Sequence, residues 1–243
     1  MTPEKIEQEE KNFMESLQKK TNEKYTLRKM IEIDEGFRIY SIRPSYNSYY
    51  YPTMTDKKSI CLHFTAGFIR SDVGVLTKND NHVSVSYVVD RSGRIYELFD
   101  DSYWSYHLGK NAVGGNTEMS KQSIGVEISN YGYLKASGDE LLDVYGNAYC
   151  RIDESCYYDK VEYRGKNYFA SMTEVQISAT AALLKFLSRK HGISLKFKND
   201  DALFASNREA LDFRGIFSHS NVRKDKFDWP MSSSIKSIME KCF

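Results

Sequence analysis

The chain has 243 residues, 41% hydrophobic and 28% charged, a balance that fits one substantial folded domain and excludes a disordered chain. Lys and Arg number 34 against 33 Asp and Glu, a formal net charge of +1. Nucleic acid and anionic membranes are therefore not attracted by overall charge, and any partner must be recognised at a site.

The opening MTPEKIEQEEKNFMESLQKK lacks the apolar run of a secretory signal. No later stretch approaches the roughly 20 apolar residues of a membrane span. The expectation is a protein cytoplasmic as synthesised, with no membrane insertion and no nucleic-acid partner. Its cysteines, Cys61, Cys150, Cys156 and Cys242, form no CxxC pair and are read as free thiols, with Cys150 and Cys156 close enough in sequence to bridge if oxidised.

In chain order, residues 3–22 read as an amphipathic helix, with Ile6, Phe13, Met14 and Leu17 on one side. Thr2 before Pro3 supplies an N-cap with proline at the first helical position. Residues 1–35 are taken as an N-terminal helical extension, which packs on the domain or mediates assembly. Residues 36–243 form the main domain. Residues 37–51 are polar and Tyr-rich, as a loop covering a site would be; tyrosine totals 18 in the chain, and its ring with a polar tip suits groove walls as well as half-buried packing.

SICLHF, residues 59–64, is a short apolar run suited to a buried strand. VSVSYVV, residues 83–89, alternates β-branched residues, DRSG supplies a turn, and residues 94–99 return as the second arm of a hairpin. SIGVEIS, residues 123–129, is another strand. Residues 131–170 have weak periodicity and read as an insertion with strands or loops of its own. Thr173 with Gln176 resembles a capping box that opens a helix through about Lys190, with Gly192 as its stop. The fold class is α/β, a single mixed β-sheet with flanking helices.

Five histidines are present: His63, His82, His107, His191 and His219. His63 ends the SICLHF strand where it opens into Thr65-Ala66-Gly67, a position that presents a side chain to a cleft. His219 lies where an apolar pair gives way to a polar loop, and Asp228 follows nine residues later. Two imidazoles and a carboxylate leave the fourth zinc position for water, but this spacing alone also fits surface histidines. His191 is explained by the dipole of the helix it ends, and His82 reads as a loop residue.

LHFTAG, VSYVVDRSGRIYEL, SYHLG, QSIGVEIS and HSNVRKDKFDWP, in that order from about Ser59 to Pro230, resemble the amidase-2 family of zinc-dependent N-acetylmuramoyl-L-alanine amidases. This family includes phage lysozyme-type amidases and is similar to peptidoglycan recognition proteins. The resemblance implies Zn2+ held by His63, His219 and Asp228, with Glu127 as acid and base and Lys226 facing the oxyanion. Asp225 competes with Asp228 on spacing but falls outside the family's KxD unit. The resemblance sets His107 in the groove rather than on the metal. Trp104, Tyr103 and Tyr106 offer aromatic walls, although core packing accounts for them equally well. Ser86 stands where the family usually has histidine, so no proton-relay role is assigned there.

A carboxylate inside an apolar strand, as Glu127 is, is costly to bury unless paired or functional. The expected reaction is hydrolysis of the amide between N-acetylmuramic acid and L-alanine, with peptidoglycan or a muropeptide as substrate, in a phage-type endolysin that reaches the wall after release. The alternatives are a non-catalytic peptidoglycan-binding module and a cytoplasmic muropeptide-recycling amidase.

Overall fold

The computed structural model describes residues 1–198, 202–228, 230 and 232–243; Trp229, in the last quoted motif, lies outside them. In chain order the elements are α1 (Pro3–Gln18), β1 (Thr26–Glu32), β2 (Arg38–Arg43), β3 (Ser59–Phe64), α2 (Ile69–Leu76), β4 (Tyr87–Val89), β5 (Ile95–Glu97), α3 (Asn116–Gln122) and β6 (Ser123–Ile128). There follow β7 (Tyr133–Ser137), β8 (Glu140–Leu142), β9 (Ala148–Arg151), β10 (Tyr158–Tyr163), β11 (Lys166–Ala170), α4 (Glu174–His191), α5 (Asn207–Asp212), β12 (Gly215–Ser218) and α6 (Ser233–Lys241).

The main sheet is mixed, in the order β1-β2-β5-β4-β6-β3-β12. Its centre is parallel, β6 to β3 to β12, and both faces there are covered, as the apolar runs of these strands require. Strand periodicity sorts the faces. Ile60 and Leu62 of β3 and Ile124, Val126 and Ile128 of β6 pack with Ile177, Leu184 and Leu187 of α4 and Ile238 of α6. The alternate residues, Cys61 and His63 on β3 and Ser123, Gly125 and Glu127 on β6, face the opposite side, where the site is built.

Helix α4 begins as its sequence signals. Thr173 Oγ1 accepts from Gln176 N at 3.1 Å, and Gly192 ends it in the left-handed region at φ 66. The reciprocal half of the capping box is not made. Gln176 Nε2 instead donates to the carbonyls of Val89 and Ser129, both at 3.1 Å, tying the helix to the ends of β4 and β6.

Helix α1 packs on the domain. Phe13, Met14 and Leu17 enter a core with Ile69, Val73 and Tyr96, while Ile6 packs with Tyr131, Leu141 and Tyr149 of the 131–170 segment. Thr2 is the N-cap residue, but its side chain makes no capping bond. Residues 1–35 are helical only in part, because Thr26–Glu32 forms the edge strand β1 paired with β2.

Residues 37–51, expected as a loop over a site, instead supply β2 and an aromatic cluster. Tyr50 stacks on Phe99 at 4.8 Å and on Tyr103 at 5.8 Å, and Tyr49 is fully buried. The expected hairpin pairs only over Tyr87–Val89 and Ile95–Glu97, and β4 continues the sheet through parallel pairing with β6. Residues 131–170, expected as an insertion, form a second, antiparallel sheet in the order β10-β11-β7-β8-β9. Cys150 and Cys156 within it are free thiols.

Candidate active site and metal centre

His63 and Glu127 are register partners on the parallel pair β3 and β6, so both project from the same face of the sheet. His219 follows β12 directly, and Asp228 lies on the loop beyond it. These four residues, with His107 and Lys226, line an open cleft of about 820 Å³. Gly125 makes room for the wall: a Cβ there would lie 2.7 Å from Val85 Cγ1 and 3.3 Å from His107 Cγ.

One ligand atom each from His63, His219 and Asp228 lie within 4.8 Å of one another. Hydrogen-bond partners assign the protons. Leu108 O faces His219 Nε2 at 2.9 Å; a carbonyl only accepts, so Nε2 carries the proton and Nδ1 a lone pair. Ser123 Oγ donates its single proton to Met119 O at 2.6 Å and must accept from His107 Nε2 at 3.1 Å. His107 Nδ1 is then an acceptor for His63 Nε2 at 3.0 Å, which leaves His63 Nδ1 unprotonated.

Two lone pairs thus face each other across 3.0 Å, with Asp228 Oδ2 3.6 Å from His219 Nδ1. Three electron-rich atoms meet there. That donor set suits a divalent ion of zinc's chemistry, with the remote ring nitrogens fixed by hydrogen bonds as metal-binding histidines require.

Electrostatics agree. Burial, then the neighbouring His219, His107 and Lys226, hold His63 well below its ordinary pKa. Burial is also the main cause that lowers His219 and brings His107 to about 3. The imidazoles are therefore neutral, as ligands must be. A second trio, Cys61, His63 and His107, also converges. It is the poorer donor set, because burial raises the Cys61 thiol well above its usual range and His107 Nδ1 is engaged with His63.

Asp228 is fixed through Oδ1, which accepts from Phe64 N at 3.0 Å. Asp225 points elsewhere, paired with Arg223, whose hydrogen bond holds it at about 2. Glu127 Oε2 is buried without a hydrogen-bond partner among the described residues. Burial, then Asp228 and Asp72, raise its pKa well above the carboxylate range, against the opposing charge of Lys226. A carboxyl so placed is poised to exchange protons.

Trp104 is not among the residues lining the cleft. It stacks on Tyr51 at 4.3 Å, with Lys121 Nζ 5.4 Å from its ring, a packing role; Tyr106 lines the cleft instead. His82 stacks on Tyr51, His191 approaches Asp101 at 3.1 Å, and Ser86 is buried.

The sequence reading missed Ser123 and Asp72. Ser123 shares the face of Gly125 and Glu127 by simple alternation, a signal that was available. Asp72 accepts from Thr65 at 2.8 Å and Ser129 at 2.6 Å, pinning the turn after His63; nothing local marks it.

Residues 53–229 match the model of the Amidase_2 family, N-acetylmuramoyl-L-alanine amidase. The chain belongs to this family. Over 88 residues this Amidase_2 chain is 32% identical to N-acetylmuramoyl-L-alanine amidase AmiD of Escherichia coli (strain K12), a stretch that makes up 33% of this chain and 31% of that protein. The match thus spans about a third of the length of that curated relative.

Among solved structures, the E. coli AmiD complex with anhydro-N-acetylmuramic acid-L-Ala-D-gamma-Glu-L-Lys is 20% identical with a TM-score of 0.48, covering 87% of this chain and 65% of that one. The Staphylococcus aureus hydrolase AmiA in complex with its ligand is 16% identical with a TM-score of 0.49, covering 84% and 82%. Among the described residues, no helix of this family member is long and apolar enough to cross a membrane.

Proposed function

We propose that this protein is a zinc-dependent N-acetylmuramoyl-L-alanine amidase that hydrolyses the amide between N-acetylmuramic acid and L-alanine in peptidoglycan. The observation that carries the proposal is the convergence of three ligand atoms, from His63, His219 and Asp228, in one cleft with the carboxyl oxygen of Glu127 that has no hydrogen-bond partner among the described residues. Bound zinc would lower the pKa of a coordinated water toward about 7 and polarise the scissile carbonyl.

The chain's own groups do the rest. Glu127 takes the proton of the attacking water and returns it to the leaving amine of L-alanine. Lys226 places its ammonium against the oxyanion of the tetrahedral intermediate. His107 holds His63 in the tautomer that presents Nδ1. Tyr106, Asn116 and Thr117 offer polar and aromatic contacts to sugar and stem peptide along the cleft wall.

Digestion of purified peptidoglycan by zinc-loaded protein, with products identified by mass spectrometry, tests this. Free stem peptides beginning with L-alanine, absent with Glu127→Ala, are expected. Binding without cleavage would instead make the chain a recognition module. Peptidoglycan of the intact wall is the proposed substrate, in an endolysin role. Activity on soluble muropeptides but none on intact sacculi would place the enzyme in recycling.

A further inference from the structure

The hairpin of β10 and β11 closes with a two-residue turn, Arg164 and Gly165, between the paired Tyr163 and Lys166. Both turn residues have positive φ, +50 and +75. Such turns favour Asn or Asp followed by Gly, and a long L side chain at the first position is disfavoured. An unfavoured residue held at a fixed point invites the question of what its side chain reaches.

It reaches the loop that carries Lys226 and Asp228. Arg164 Nη1 donates to the carbonyls of Arg223 at 2.9 Å, Lys224 at 3.0 Å and Lys226 at 2.5 Å, and Nη2 donates to Ser220 O at 3.0 Å. Ser220 lies in the short 3-10 turn His219–Asn221, and the other three carbonyls lie in the irregular stretch after it, which no strand pairs. A planar fork of charged donors can satisfy several at once, whereas an ammonium is a single point.

A second contact from the same sheet falls on the residue between the two functional ones. The Phe227 ring lies 5.0 Å from Tyr133 of β7, with Lys166 Nζ 5.4 Å from Phe227 and 4.4 Å from Tyr133. Phe227 is thus turned into the second sheet, while Lys226 and Asp228, on either side of it, line the cleft.

We propose that the second sheet is part of the active-site apparatus, with Arg164 as the positioning residue that fixes the loop presenting Lys226 and Asp228. The proposal rests on the roles given to those two residues under the proposed function. Without the guanidinium the four carbonyls lose their common donor, the loop loosens, and Asp228 and Lys226 are no longer held against His63 and Glu127.

The test compares wild type with Arg164→Ala, Arg164→Lys and, as a control on the same hairpin, Glu162→Ala, which is exposed. Amide hydrogen exchange, zinc affinity by chelator competition, and kcat and KM on a muropeptide are measured on each 243-residue protein. For Arg164→Ala, faster exchange confined to residues 220–228 is expected, with roughly 10- to 100-fold weaker zinc binding and a fall in kcat larger than any change in KM. Arg164→Lys should fall between Ala and wild type, and it keeps the test open if the Ala variant does not fold.

Unchanged zinc affinity and kcat in a folded Arg164→Ala, or a Lys variant equal to wild type, would overturn the proposal. So would equal losses in Glu162→Ala, which would reveal general loosening of the hairpin. A wild type that neither binds zinc nor cleaves would defeat the amidase reading instead. The exchange measurement would then decide the clamp alone, unchanged protection of residues 220–228 counting against it.

Discussion

His63 and Glu127 face one another as register partners on adjacent parallel strands, so one strand pairing places the proposed metal ligand beside the proposed acid–base group. Their roles separate cleanly under substitution. Glu127→Ala should keep stoichiometric zinc and lose roughly 10²- to 10⁴-fold in kcat, the usual share of a general acid–base group. Ala at His63, His219 or Asp228 should lose both zinc and activity. Metal analysis beside turnover checks this, and tight zinc retained by two of those three ligand variants would sink the ligand assignment.

The proton chain from Ser123 through His107 to His63 gives a second prediction. His107→Phe removes the acceptor for His63 Nε2–H, so His63 no longer holds one tautomer. Zinc affinity should fall roughly 10- to 100-fold. Ser123→Ala should act in the same direction and more weakly, because it leaves His107 in place. Chelator competition measures both; wild-type affinity in His107→Phe would show that the tautomer is set by other means.

Much of this site was legible before the structure, for a physical reason. β3 and β6 are central strands covered on both faces, so their apolar runs stand out, and period two assigns His63 and Glu127 to the polar exceptions on one face. β1 was hidden because this edge strand, Thr26–Glu32, is mostly exposed along its length and carries no clean alternation. Arg164 was invisible for another reason: donation to main-chain carbonyls depends on backbone path and leaves no pattern in the acceptor residues. The packing of Trp104 on Tyr51 was not legible because the two lie far apart in sequence and meet through an isolated bridge and a ring stack.

That placement makes Trp104 a stability residue. Trp104→Ala should cost about 3–5 kcal/mol, the range for truncating a buried aromatic, since the residue is only 8% exposed. KM should stay at the wild-type value in the folded fraction. Denaturant titration and kinetics together decide: a raised KM with unchanged stability would return Trp104 to the substrate groove.

The last prediction concerns acid. Asp101 is buried, which alone would raise its pKa, but contacts from His191, Lys190 and Tyr87 and the charge of Lys190 bring it to about 2, below the ordinary 3.8. Lys190 Nζ lies 2.8 Å from Oδ1 and Tyr87 Oη 2.7 Å from Oδ2, joining the end of α4 to the turn after β5. A carboxylate with a depressed folded pKa contributes stability above its unfolded pKa and loses it as pH falls through the folded value. The contribution here is about 2 kcal/mol, present above pH 4 and lost toward pH 2. Unfolding free energies of wild type and Asp101→Asn, followed from pH 6 down to pH 2, should therefore differ most at the upper end and converge at the lower. A gap that stays constant across that window would mean that Asp101 contributes through shape rather than charge.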